Sequence, residues 1–133
     1  MMMSPMVVEA KGEVNQELKC LADTIYHEGR SLSETEQKMI GQVVLNRMTN
    51  NKFPKTICGV VYHKTPGKNK RFIRQFSWTS NGNIIRERAP YNMALSYAEE
   101  LLQGNNNKPI TNALFFSKGK YKCRGKGLCH RFR

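Results

Sequence analysis

Residues 18–30 read Leu18-Lys19-Cys20-Leu21-Ala22-Asp23-Thr24-Ile25-Tyr26-His27-Glu28-Gly29-Arg30. Leu18, Leu21, Ala22 and Ile25 recur at helical spacing, so the stretch predicts a helix from about Asn15 to His27 with one apolar stripe. Gly29 supplies its stop. Glu28 lies three positions after Ile25 and seven after Leu21, and therefore belongs to that same stripe. A carboxylate there stands at the mouth of the core. Burial against apolar groups disfavours its ionised form, which is the condition a general acid needs. The plainer reading is a helix-terminal Glu whose head reaches solvent, and spacing alone does not choose between them.

Outward from this helix, Ser33 followed by Glu36 matches a capping box and opens a second helix over about Glu34–Asn50. Its buried face is Ile40, Val43, Val44 and Met48, and Phe53-Pro54 ends it. Short β-like pieces follow at Ile57–Tyr62 and Arg74–Thr79. A third helix starts near Pro90, buries Ala94, Tyr97, Ala98, Leu101 and Leu102, and closes at Gly104. Asn112–Ser117 reads as a strand. The pattern is α+β and predominantly α, with a small irregular β region. Residues 1–14 read as a loosely ordered lead-in and residues 15–133 as one domain.

The length of 133 residues suits a single core. Charge is unevenly spread. Residues 1–50 carry five Lys/Arg against seven Asp/Glu, whereas residues 51–133 carry 17 against three. A field of this kind attracts an anionic partner without naming it: nucleic acid, an anionic membrane face and an anionic envelope all qualify. No run approaches the roughly 20 apolar residues of a membrane span. The first residues show no basic-then-apolar leader, so synthesis in a cytoplasm is expected. There Cys20, Cys58, Cys123 and Cys129 would be mostly reduced. On later exposure to an oxidising compartment, Cys123 and Cys129 are the closest couple in sequence, and the redox state stays open.

Several segments together resemble one known family. Leu21 to Arg30, Ile40-Gly41-Gln42-Val43-Val44-Leu45-Asn46-Arg47, Phe53 to Tyr62, Gln75-Phe76-Ser77-Trp78-Thr79, Ala113-Leu114-Phe115-Phe116 and Cys129-His130-Arg131-Phe132 are similar, in order, to signatures of the SleB-type cell wall hydrolases. That family comprises spore-cortex-lytic enzymes and phage lysins that cut the glycan strands of peptidoglycan. The resemblance implies a lysozyme-like fold with Glu28 as acid/base at the end of the first core helix. It also implies a glycan cleft lined by Gln75, Phe76, Ser77 and Trp78, to which Tyr62 and His130 are added as substrate-binding candidates. Neither cofactor nor metal is expected. The implied partners are peptidoglycan strands and, through the basic half, the anionic envelope; the protein is expected to be a monomer. Without a leader, it would reach the wall after release from the cytoplasm.

Two departures from the family pattern bear on mechanism. Where members place a second Glu soon after the first, this chain has Ser31-Leu32-Ser33-Glu34, and Lys64 to Arg74 forms an insertion-like basic stretch. Hydrolytic glycosidases use two carboxylates. Glu34 and Glu36 suit the start of a helix, and Glu99 and Glu100 read as solvated. A lytic transglycosylase needs only one Glu, so that route is favoured over hydrolysis by the same residue.

The remaining residues have plainer roles. Trp78 either stacks on a sugar or packs in the core, and Ser77 either bonds an N-acetyl group or turns the chain. Asn46 and Arg47 tie the second helix to loops, and His27 reads as a helix-surface residue. Cys123, Cys129 and His130 at Cys-x5-Cys-His spacing lack the paired knuckles of a zinc site. A nucleic-acid-binding module is the competing function. Basic residues interleave with Phe72, Phe76 and Trp78, but no nucleic-acid motif is present, so that partner is not expected.

Overall fold

A computed structural model describes residues 5–66, 72–74, 76–104, 109–118 and 129–132, with side chains over 15–65, 76–104 and 109–116. Helix α1 spans Pro5–Glu28, α2 Glu34–Met48, α3 Ile57–Val61 and α4 Arg88–Gln103. Strands β1 (Lys64–Pro66) and β2 (Phe72–Arg74) pair antiparallel; β3 (Phe115–Lys118) and β4 (Cys129–Phe132) pair parallel, with Phe116 opposite His130. The result is a mainly α, lysozyme-like α+β domain.

α1 is the central element, and α2, α3 and α4 all pack on it. Every residue from Cys20 to Tyr26 is buried, so the helix is enclosed on all sides rather than along one stripe. Gly41 lets α2 come close. A Cβ there would stand 2.5 Å from Leu101 Cδ1 and 2.9 Å from Ile25 Cδ1, so the crossing of α1, α2 and α4 needs a residue without one. Lys38 bonds Glu34 at 3.0 Å and Glu100 at 2.7 Å, tying α2 to α4. The capping box at Ser33 and Glu36 is complete, and Gly104 closes α4 in the left-handed region at φ 63°.

The elements differ from the sequence expectations in three places. α1 begins at Pro5, so helix replaces most of the expected loose lead-in; proline is suited to a first helical position, and few residues after it oppose a helix. Ile57–Val61 is a helix and not a strand. Thr56 caps it by accepting from Gly59 N, and both oxygens of Glu17 accept from the amides of Ile57 and Cys58 at 2.9 Å. Those caps outweigh the β-branched composition. The β-like piece at Arg74–Thr79 divides into the end of β2 and a 3-10 turn over Ser77–Ser80. The cysteine redox state, which the sequence left open, is settled for one pair: a disulfide joins Cys20 of α1 to Cys58 of α3, while Cys123 and Cys129, the closest couple in sequence, lie outside the described side chains. Among the described residues, no helix is long and apolar enough to cross a membrane.

Candidate active site

Glu28 is the last residue of α1 and is half-buried. Its environment is set by Arg47 near the end of α2, 5% exposed. Arg47 Nε donates to Leu114 O at 2.7 Å, and the guanidinium lies 5.3 Å from the ring centres of both Phe53 and Phe115 and 5.8 Å from that of Phe76. Its Nη1 is buried without a hydrogen-bond partner. A buried cation is costly unless an anion offsets it. Burial pushes Arg47 down to about 10, and the Glu28 carboxylate opposes that shift. Glu28 therefore lies within electrostatic range of the buried Arg47. Asn46, one residue earlier, donates to the carbonyls of Thr111 and Ala113, so α2 anchors the segment leading to β3, as the sequence suggested for both residues.

One turn back on α1, Asp23 is 1% exposed and fully engaged. Its Oδ1 accepts from Tyr91 at 2.7 Å; its Oδ2 accepts from Lys19 at 2.7 Å and from Asn83 Nδ2 at 2.8 Å. Burial, then the bond to Asp23, raises the Tyr91 phenol above its usual range. Asn83 sits at φ 50°, a left-handed backbone that Asn tolerates, and its Oδ1 lies 2.7 Å from His27 Nε2. His27 stacks on Trp78 at 4.5 Å and 23°, and is therefore a wall of the site rather than a surface residue. Asp23 thus holds the 81–87 segment against the end of α1. Replacing Asp23 by Ala leaves the buried Tyr91 hydroxyl without its acceptor and frees Asn83 from α1's carboxylate, and the expected loss is about 2–4 kcal/mol in urea unfolding. A loss below about 1 kcal/mol would refute this role for Asp23.

The other expected site residues are distributed unevenly. Trp78 is buried but borders a recess; Tyr62 is 38% exposed, meets Trp78 edge-on at 6.1 Å and accepts a long bond from Asn83. Ser77 is exposed in the 3-10 turn. Phe76 is 4% exposed and packs between Trp78 and Phe116, so it supports the site from within the core and does not line a cleft. Gln75 and the side chain of His130 lie outside the described residues. The recess, about 290 Å³, is bordered by His27, Arg30, Trp78, Asn81, Ile84 and Arg86. A second of about 370 Å³ opens on the other side of Tyr26, by Ser31, Gln37 and Met93. Sequence reasoning missed Asp23, Asn83 and Tyr91 as a group. The available signal was an acid amid the apolar run Leu21–Ile25, which demands partners once buried. Glu17, Cys20 and Cys58 also lie together, but both sulfurs are committed to the disulfide.

A mainly α domain built around an enclosed core helix is a lysozyme-like architecture. A family model described as Cell Wall Hydrolase matches residues 32–126, well over half of the chain, and the chain belongs to this SleB-type family. The matched span begins four residues after Glu28 and includes Arg47, Trp78 and Asn83. No curated protein and no solved structure matches the chain.

Proposed function

We propose that this cell wall hydrolase cuts the MurNAc–GlcNAc bond of peptidoglycan as a lytic transglycosylase, with Glu28 as the single acid and base. The observation that supports this reading is the position of Glu28, half-buried at the end of the enclosed core helix, where the family resemblance puts the acid/base. Glu17 caps α3 and Asp23 holds the 81–87 segment. Glu34 and Glu100 hold Lys38, Glu36 completes the capping box, and Glu87 pairs with Arg30 at 2.6 Å. Glu99 is exposed late in α4. These acids serve structural tasks or stand at the surface, which is why the reading gives both proton steps to one residue, Glu28.

In this mechanism the Glu28 carboxylic acid gives its proton to the glycosidic oxygen as the C1–O bond breaks. The resulting carboxylate then takes the proton of the same sugar's 6-hydroxyl while O6 bonds to C1, giving a 1,6-anhydro end and a restored acid. No water is consumed. Hydrolysis is the second reading, favoured by the family's description: Glu28 plays the same first part and water replaces O6. Mass spectrometry of digested peptidoglycan separates the two. Anhydromuramyl ends, lighter by one water and inert to borohydride, are the expected product; reducing ends alone would overturn transglycosylation and leave hydrolysis. The setting we infer is that of a phage lysin made in the cytoplasm, acting as a monomer once it reaches the wall, with the basic half drawing it to the anionic envelope.

A further inference from the structure

We propose that the recess between the end of α1 and the 78–86 segment is an anion subsite for a carboxylate carried by the muropeptide, separate from the bond that Glu28 cuts. The inference rests on peptidoglycan being the substrate. It starts from which polar groups at the recess are already committed. Arg30 gives Nη2 to Glu87 and Nη1 to Tyr26. Asn83 gives Nδ2 to Asp23, and its Oδ1 is taken by His27. Among the groups that remain are the Arg86 guanidinium, which has no ion-pair partner among the described residues, the Asn81 amide and the Trp78 indole.

The indole gives an independent indication. Trp78 is 8% exposed, and its buried Nε1 has no acceptor among the described residues. Buried indole donors ordinarily find one. A recess that offers an uncommitted cation and is walled by a tryptophan with an unsatisfied indole N–H selects a ligand that accepts hydrogen bonds and carries negative charge, with the N–H reached by a small shift of the ring. Ile84, 55% exposed at the rim, adds an apolar surface suited to a methyl group beside that charge. The backbone is firm where this matters: the amides of Arg86 and Glu87 both donate to the buried Tyr26 hydroxyl, at 3.2 and 3.1 Å, so the position of Arg86 is fixed by the core. In the substrate, carboxylates occur on the stem peptide and, where that peptide has been removed, on the lactyl group of the muramic sugar.

The chain has one tryptophan, so its indole N–H gives a single, unambiguous NMR signal. The test titrates the full-length protein with a synthetic stem tetrapeptide bearing free carboxylates, with the same peptide fully amidated, with N-acetylmuramic acid and with N-acetylglucosamine. None of these contains the scissile bond. The indole signal is expected to move with a carboxylate probe and to stay in place with its neutral counterpart. Whether the tetrapeptide or N-acetylmuramic acid is effective identifies the source of the carboxylate. Arg86→Gln, which keeps the backbone amide and its bond to Tyr26, is expected to weaken that binding roughly tenfold. Equal response to charged and neutral probes, or binding unchanged in R86Q, would overturn the subsite. Digestion of cell walls by the unmodified protein is scored separately. Digestion without probe binding removes only the subsite, whereas absence of digestion removes the peptidoglycan reading itself.

Discussion

Replacing Glu28 by Gln is expected to reduce peptidoglycan cleavage by about a thousandfold, the scale of a positioned general acid. The amide keeps the size and most of the packing of the side chain but has no proton of suitable acidity to give to the glycosidic oxygen. It also removes the anion that Arg47 faces. A modest fall in melting temperature therefore accompanies the loss of activity, with the helical circular dichroism unchanged. The two effects have different origins and separate cleanly. Arg47→Met, which removes the buried cation instead, is a stability control for the pair, since an apolar side chain fits beside Phe53, Phe76 and Phe115. Full activity of E28Q would remove Glu28 from the mechanism.

The second large effect concerns the disulfide. Cys20 and Cys58 are 38 residues apart in sequence, and opening a loop of that size releases unfolded-state entropy equivalent to about 4 kcal/mol. For a chain of this length that corresponds to a fall in melting temperature of roughly 10–20 °C. The loss is also local. The disulfide and the Glu17 cap help the buried Ile57, Val60 and Val61 hold the five-residue α3 on α1, and Tyr62, at the end of α3, touches Trp78 and Asn83. Thermal unfolding with and without dithiothreitol, and of Cys58→Ser, measures this directly. A shift of less than about 3 °C would show that the crosslink contributes little beyond the cap.

Sequence and structure agree where a local rule decides. The helix carrying Leu21, Ala22 and Ile25, the capping box at Ser33 and Glu36, and the stop at Gly104 each rest on neighbours within a turn or two and are found as read, although α1 buries every side and not one stripe. Asn46 and Arg47 also tie α2 to a loop as read, though the carbonyls they hold lie 65 to 67 residues further along the chain. What could not be read depends on particular partners 38 or more residues away. The helix at Ile57–Val61 needs Glu17, and the disulfide needs α3 laid on α1. The role of His27 needs Asn83 and Trp78, and the partners of Asp23 on the 83–91 side lie 60 and 68 residues further along the chain. Phe76 shows the opposite error. A signature next to Trp78 suggested a cleft, but its ring is needed to fill the space between Trp78, Phe116 and Arg47.

The central claim is that a single carboxylate at the end of the core helix cuts glycan strands. Digesting purified sacculi with the unmodified protein and identifying the solubilised fragments by mass spectrometry tests it most directly. The account predicts short glycan fragments with stem peptides and crosslinks intact, formed by the unmodified protein and not by E28Q. Free peptides released from uncut glycan, or fragments formed equally by both proteins, would contradict it.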